Sequence, residues 1–238
     1  KFKLRNLEDL LIYDTNAIIT KIPKLKSSLD IQYIYLEEEE RKRVAGSKME
    51  FLIEKFRNGG IYNYNYDSIV DGKIRTQLKF ADPTKYIVWR LKVKYQSKMQ
   101  NNYTWNRNGH NTYTYDPSKL TSYVNNKTVK NIKVYFNGST REQGQSNLFN
   151  TINPHMRFCG SLENDEYMYI FSLYPLMYQP SGTANLSNIE DVIVEFELMS
   201  DFINKLNSEG LTLEIEYWAL GYNILRFISG MCAPIFYI

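Results

Sequence analysis

Cysteine and histidine are nearly missing from this chain of 238 residues, with two of each. Cys159 and Cys232 lie far apart in sequence, so they make neither a disulfide framework nor a Cys-x-x-Cys metal site. The reading they support is a pair of reduced thiols in or near the core, in a reducing compartment. His110 and His155 have no metal-ligand neighbour at a familiar spacing. An excess of one charge is lacking too. Lys and Arg number 29 against 26 Asp and Glu, and the net charge of +3 gives no electrostatic case for nucleic acid. No secretory signal peptide opens the sequence, and the first residue is Lys1 rather than Met. That predicts a fragment of a longer polypeptide or a processed product. A long, purely apolar run is also absent. The final stretch, WALGYNILRFISGMCAPIFYI, is interrupted by Asn223, Arg226 and Pro234, which argues against a spanning helix and for a buried strand with its tail.

What is abundant is aromatic. Only 12 Gly stand beside 20 Tyr and 12 Phe, a bias that favours strands in an otherwise ordinary globular composition. Period-2 alternation recurs along the chain. It sets Leu29, Ile31, Tyr33 and Tyr35 on one face, then Ile74, Thr76, Leu78 and Phe80. Further on it groups Ile87, Trp89, Leu91, Val93 and Tyr95, and Ile132 with Val134 and Phe136. Val192, Val194, Phe196 and Leu198 oppose Glu195 and Glu197, and Leu211, Leu213, Ile215 and Tyr217 oppose Glu214 and Glu216. EYMYIFSLY is apolar on both faces and is expected to be covered on both. Many strands with one apolar and one polar face predict an antiparallel sandwich or barrel of about one domain.

One segment switches period. Ser47 followed by Glu50 matches a capping box, and Met49, Leu52, Ile53 and Phe56 follow at helical spacing, so a helix is predicted to start at Ser47. Before it, the acidic run Glu37–Glu40 and the basic run Arg41–Arg43 are arranged to suit a helix dipole and read as a solvated helix face. Residues 97–128 are polar, Asn-rich and aromatic, and are expected to form a long surface insertion. Residues 1–26 show no alternation and read as a linker or part of a preceding unit, leaving 27–238 as the domain. No short internal repeat is present.

Catalytic signatures are missing. There is no G-x-S-x-G, H-E-x-x-H or Walker pattern. Ser181, between Pro180 and Gly182, invites comparison with a nucleophile turn or an anion nest, but β-like sequence follows where a helix is needed. Glu195, Glu197, Glu214 and Glu216 supply carboxylates enough for glycoside hydrolysis, yet they fall on the outward side of alternating strands, where charge belongs. The sequons at Asn102, Asn126, Asn137 and Asn185 matter only in a secretory compartment.

Five separated blocks carry a resemblance. LDIQYIYLEEEERKRVAGSKMEFLIEKF, FADPTKYIVWRL, IKVYFNGSTREQGQSNLFNTINPH, YMYIFSLYPLMYQPSGTANLSNIED and YNILRFISGM occur in the order found in the major capsid protein of nucleocytoplasmic large DNA viruses. The chain resembles the second of that family's two tandem jelly rolls. It departs at Ala184, where the family often has Cys, at Leu176 and Met177, where an acidic pair is usual, and in the terminal CAPIFYI. The resemblance implies an all-β fold, an eight-stranded antiparallel jelly-roll sandwich with a short helix after the first strand. It implies a structural protein without catalytic residues, cofactor or metal. It further implies homotrimeric capsomers of pseudo-hexagonal outline that tile an icosahedral shell, assembled in the host cytoplasm. The implied partners are neighbouring capsomers, minor capsid proteins and, indirectly, an internal membrane, with no direct nucleic acid. Within that frame Gln179, Pro180, Ser181, Gly182, Thr183 and Asn185 are a structural turn that carries the chain from one sheet to the other. A reading from another class is a carbohydrate-binding or glycan-processing β-sandwich, with Tyr103, Trp105, Tyr113 and Tyr115 lining one groove.

Overall fold

A strand with one apolar face is stable only when a second sheet covers that face. The computed structural model shows how this chain does so, and describes residues 26–94, 103–105, 128–162 and 165–236. Of the segments 1–26 and 97–128, only Lys26, Tyr103–Trp105 and Thr128 are among them.

The strands are β1 (Met49–Tyr64), β2 (Lys73–Leu78), β3 (Pro83–Lys94), β4 (Tyr103–Trp105), β5 (Val129–Phe136) and β6 (Ser139–Gln145). They continue with β7 (Glu166–Ile170), β8 (Ala184–Asn185), β9 (Val192–Leu198), β10 (Thr212–Ile228) and β11 (Met231–Pro234). The helices are α1 (Glu38–Gly46), α2 (Asn153–Phe158) and α3 (Ser200–Glu209), and a π-helical turn, Leu148–Ile152, leads into α2. Among the described residues, eight strands make the two layers: β1-β10-β3-β7 and β2-β9-β5-β6. The short β4, β8 and β11 pair with β3, β3 and β10. The ladders among the described residues are antiparallel, and the order is that of a jelly roll.

Residues Glu54–Tyr222 form one compact unit. Its core lies between the sheets and is made by the rows that alternation marks: Ile74 and Leu78, Ile87 and Leu91, Ile132 and Val134, Val192 to Leu198, and Leu213 to Ala219. Trp89 is fully buried at its centre, with the rings of Phe196, Phe149 and Tyr217 at 6.1, 6.2 and 6.4 Å. Tyr167, Met168 and Tyr169 of β7 are all buried, so that strand is covered on both faces. Gly221 sits at a register shift in β10, where a Cβ would meet the Pro83 carbonyl oxygen at 2.6 Å, so only glycine lets the two backbones approach.

The polar rows are less wet than alternation predicts. Glu214, Glu216 and Glu195, expected on solvated faces, are buried. Register supplies the reason. Glu214 stands opposite Lys92, and Glu216 and Glu166 stand opposite Arg90. Lys92 Nζ lies 2.6 Å from Glu216 and 4.0 Å from Glu214, and Arg90 lies 3.3 Å from Glu166. Each carboxylate is buried with a cation across the ladder, which is the condition for burying charge. Burial still holds the Lys92 ammonium below its ordinary pKa. In the other sheet Arg75 lies over Glu195, while Glu197 accepts from Lys130 at 2.7 Å and Asn131 at 2.8 Å.

The second unit holds residues 26–53 and 223–236 among those described. Three expectations fail here. The helix predicted to begin at Ser47 with Glu50 as its capping partner does not form; residues from Met49 onward are strand β1. The helix lies one segment earlier, as α1, and Ser47 ends it. The Ser47 N–H donates to Arg43 O at 3.1 Å and its hydroxyl to Val44 O at 3.1 Å. Glu50 instead pairs with Lys48 and Arg226, at 3.1 and 2.7 Å, and those two cations hold its carboxyl below the usual range. Met49, Leu52, Ile53 and Phe56 keep helical spacing but fall on both faces of the strand, with Phe56 exposed, and Phe51 stacks edge-on with Phe227 of β10 at 5.8 Å. Ladder formation decides between the two. The first alternating run, Leu29–Leu36, is no strand; residues 26–37 have no regular secondary structure and are exposed. Cys232 on β11 and, in the larger unit, Cys159 are exposed rather than buried. Cys159 is the left-handed residue, φ 58°, that ends α2 at the surface.

Candidate assembly surface

Leaving β7, the chain must cross to β9 in the opposite sheet, and residues 171–191 make that crossing. The Phe171 and Ser172 N–H groups both donate to Lys85 O, at 2.9 and 3.1 Å. Leu173 N–H donates to Ser181 O at 3.1 Å. The Ser181 hydroxyl accepts from Tyr174 N–H at 2.8 Å and pairs with the Ser172 hydroxyl at 2.7 Å. Ser181 is thus the clasp of the loop. Gly182 follows at φ 119°, a conformation that L-residues rarely adopt. Asn185 joins β8 opposite Pro83, and its Oδ1 accepts the Ser187 N–H at 3.2 Å, capping the turn Leu186–Asn188. Gln179, Pro180 and Thr183 are exposed. At the far end Asn137 N–H donates to Asp191 O at 2.9 Å, and Gln77 donates to the Asp191 carboxylate at 2.6 Å.

This well-tied loop carries its apolar residues outward. Leu173, Tyr174, Leu176, Met177 and Tyr178 are all exposed, Leu176 at 71% and Tyr178 at 74%. Arg157 of α2 donates to Leu173 O at 3.0 Å, which ties that helix to the loop, and Met156 beside it is 71% exposed. Phe158 anchors α2 by an edge-on contact with Tyr86 at 5.3 Å. Ordered backbone under exposed apolar side chains suits association through burial rather than bond-making.

Among the described residues no group of three or more His, Cys, Asp or Glu is placed to hold a metal ion. His155 is exposed on α2, and His110 lies outside the described residues. Ser181 is engaged with Ser172 and the Tyr174 amide. Tyr113 and Tyr115 also lie outside the described residues, while Tyr103 and Trp105 belong to β4, paired with β3. One buried carboxyl is held by neutral groups. Asp165, φ 59°, sits beside the Tyr167 hydroxyl at 3.3 Å and is bonded by Thr128. Burial raises its pKa from 3.8 to about 6.

The family described as large eukaryotic DNA virus major capsid protein matches residues 40–233. The chain belongs to that family. Among curated relatives of this capsid protein family, the major capsid protein of Paramecium bursaria Chlorella virus 1 is 26% identical over 243 residues, covering 92% of this chain and 56% of its own length. That of Pyramimonas orientalis virus is 28% identical over 218 residues, covering 86% and 47%. This chain therefore spans about half the length of these relatives. Among solved structures, the quasi-atomic PBCV-1 virus capsid superposes with a TM-score of 0.60 at 22% identity, over 87% of this chain and 56% of that one. The Faustovirus major capsid protein gives 0.57 at 16%, over 81% and 36%. Both likenesses establish the jelly-roll fold. Sequence reasoning missed the apolar shelf on this loop. The signal was present in the run LYPLMY, whose large residues lie in a Pro-bounded connection rather than a strand.

Proposed function

We propose that this chain is the shell-building jelly roll of a major capsid protein from a large eukaryotic DNA virus, with a structural and not an enzymatic role. The observation that carries this is the family match over residues 40–233 of an eight-stranded roll. The complete polypeptide forms homotrimers whose outline is pseudo-hexagonal, and these pack against neighbouring capsomers in the virion. Minor capsid proteins bind the lattice, an internal membrane is approached only indirectly, and assembly takes place in the host cytoplasm. A repeating shell needs rigid units with self-recognising surfaces, and a clasped loop with exposed Leu176, Met177 and Tyr178 fits that need. The test is negative-stain microscopy with light scattering on the complete polypeptide. A discrete trimer with six corners is expected; a monomer that persists at high concentration overturns the reading.

A further inference from the structure

Strand β2 is an edge of its sheet, and an edge strand presents one row of backbone groups that no neighbour in the sheet takes up. Parity identifies the row. Leu198 N–H donates to the carbonyl of Gly72, just before the strand, at 2.9 Å. Even-numbered residues therefore face β9, while Lys73, Arg75 and Gln77 face outward. Each of these three outward carbonyls nevertheless accepts a hydrogen bond from this chain. Lys73 O accepts the Val70 N–H at 3.0 Å, Arg75 O the Tyr64 hydroxyl at 3.1 Å and Gln77 O the Tyr62 hydroxyl at 3.2 Å.

The two tyrosines stand where a neighbouring strand would. They come from β1 of the opposite sheet, and Tyr62 and Tyr64 meet Gln77 and Arg75 in antiparallel order. Both are half-buried. Tyr62 is braced edge-on against Tyr217 at 5.5 Å, and the Tyr64 and Thr76 hydroxyls are bonded to each other. Burial holds the Tyr64 hydroxyl above its ordinary pKa, so it remains a donor. The strand beneath is a ready template. Its six residues pair with β9 without a register shift, contain no Pro or Gly, and include the β-branched Ile74 and Thr76. The far edge of the sheet, β6, is guarded in another way, by a register shift against Val134 and Tyr135 with Arg141 as the extra residue.

We propose that Tyr62 and Tyr64 mask a strand-addition site on β2, one that would otherwise pair two copies of this roll edge to edge. Main-chain pairing is tolerant of sequence, and a bare edge is complementary to itself in antiparallel order. An assembly whose copies must meet at fixed angles is disrupted by a contact that can form at several registers. The tyrosine hydroxyls take up the acceptors on which such a contact depends. The mask lies wholly within the larger unit, so the inference stands apart from the capsid reading.

The test removes the mask in the complete polypeptide. Tyr62→Thr with Tyr64→Thr deletes both rings and both donors and leaves side chains that suit a strand. The expected result is an unchanged circular dichroism spectrum with light scattering that grows with concentration beyond the parent's. Exchange at the outward amides of Arg75 and Gln77 is expected to slow by about tenfold or more in the associated material. Adding Gln77→Pro removes an outward donor but none from the β9 ladder, and is expected to return scattering to the parent's level. The Gln77 side chain bonds the exposed Asp191, so its loss leaves no buried group behind. Proline supplies none of the lost packing, so this rescue separates edge pairing from aggregation of unfolded chains. Association that persists with Gln77→Pro overturns the proposal, and so does a double variant as dispersed as the parent. Should the Thr pair fail to fold, Tyr62→Phe with Tyr64→Phe keeps the rings and removes both donors; association above the parent's with the same rescue is expected, and parent-like behaviour overturns the proposal. Whether the parent forms trimers is recorded separately and bears on the capsid reading alone.

Discussion

Gly182 is the residue at which the crossing loop tolerates no side chain. Its φ of 119° is strained for any L-residue, and a Cβ there would stand 3.3 Å from the Phe171 carbonyl oxygen. Strain of this kind costs roughly 1–3 kcal/mol. Gly182→Val is expected to destabilise by more than about 1 kcal/mol, a fall of roughly 2–4 °C for a domain of this size. An unchanged melting temperature would remove the turn geometry from the argument. Asp165 makes a second prediction, on pH. Its folded pKa of about 6 lies above the unfolded value of 3.8, so the folded state holds the proton more tightly. The stabilisation this group contributes is present in full below pH 3.8 and is lost as pH rises through about 6. That shift corresponds to about 3 kcal/mol of penalty for the ionised form at neutral pH. Asp165→Asn keeps an acceptor for Tyr167 and tolerates the left-handed backbone, so it is expected to raise the melting temperature at pH 7.5 and much less at pH 4. Equal gains at both pH values would locate the penalty elsewhere.

Strands and loops divide by how openly they show themselves in the sequence. β2, β9 and β10 are plain, because one sheet face is dry and Ile74, Val194 and Ile215 each fall on it at period 2. β1 is concealed, because Met49, Leu52, Ile53 and Phe56 follow helical spacing, and only pairing along the ladder makes the segment a strand. The burial of Lys92, Glu214 and Glu216 is concealed for a related reason: opposite charges come together only when register is known. The turn from Gln179 to Asn185 is legible as local chemistry, since Pro, Gly, Ser and Asn act on backbone within a few residues. The apolar shelf on the same loop is not, because exposure is a property of tertiary placement. At this scale the expected consequence is a separation of stability from assembly. Leu176→Ser combined with Met177→Ser removes apolar surface that is already in water, so the melting temperature of the complete polypeptide should move by no more than about 0.5 kcal/mol equivalent. Its self-association, followed by light scattering against concentration, should weaken. A folded variant that assembles as before would take the loop out of the contact surface.

Across the described residues, the large apolar side chains divide between a buried core and exposed surfaces. The larger unit is closed around Trp89. Outside that core, residues 29–36 and residues 173–178 together carry eleven large apolar side chains in water. Exposed surface of this kind drives association whether or not a specific partner is present. A closed ring, however, needs each interface to meet its complement at a fixed rotation. Under the proposed capsid role each chain of a pseudo-hexagonal trimer would supply two of six corners, and a chain spanning about half the length of its relatives would supply one. Residues 1–238 expressed alone are therefore expected to be monomeric or to aggregate without a defined size, whereas the complete polypeptide is expected to be a trimer. Light scattering on the two samples at matched concentrations separates the cases. A stable, discrete trimer of residues 1–238 would mean that this roll alone carries the whole trimer interface, and the contribution of the remaining half would have to be sought in contacts between capsomers.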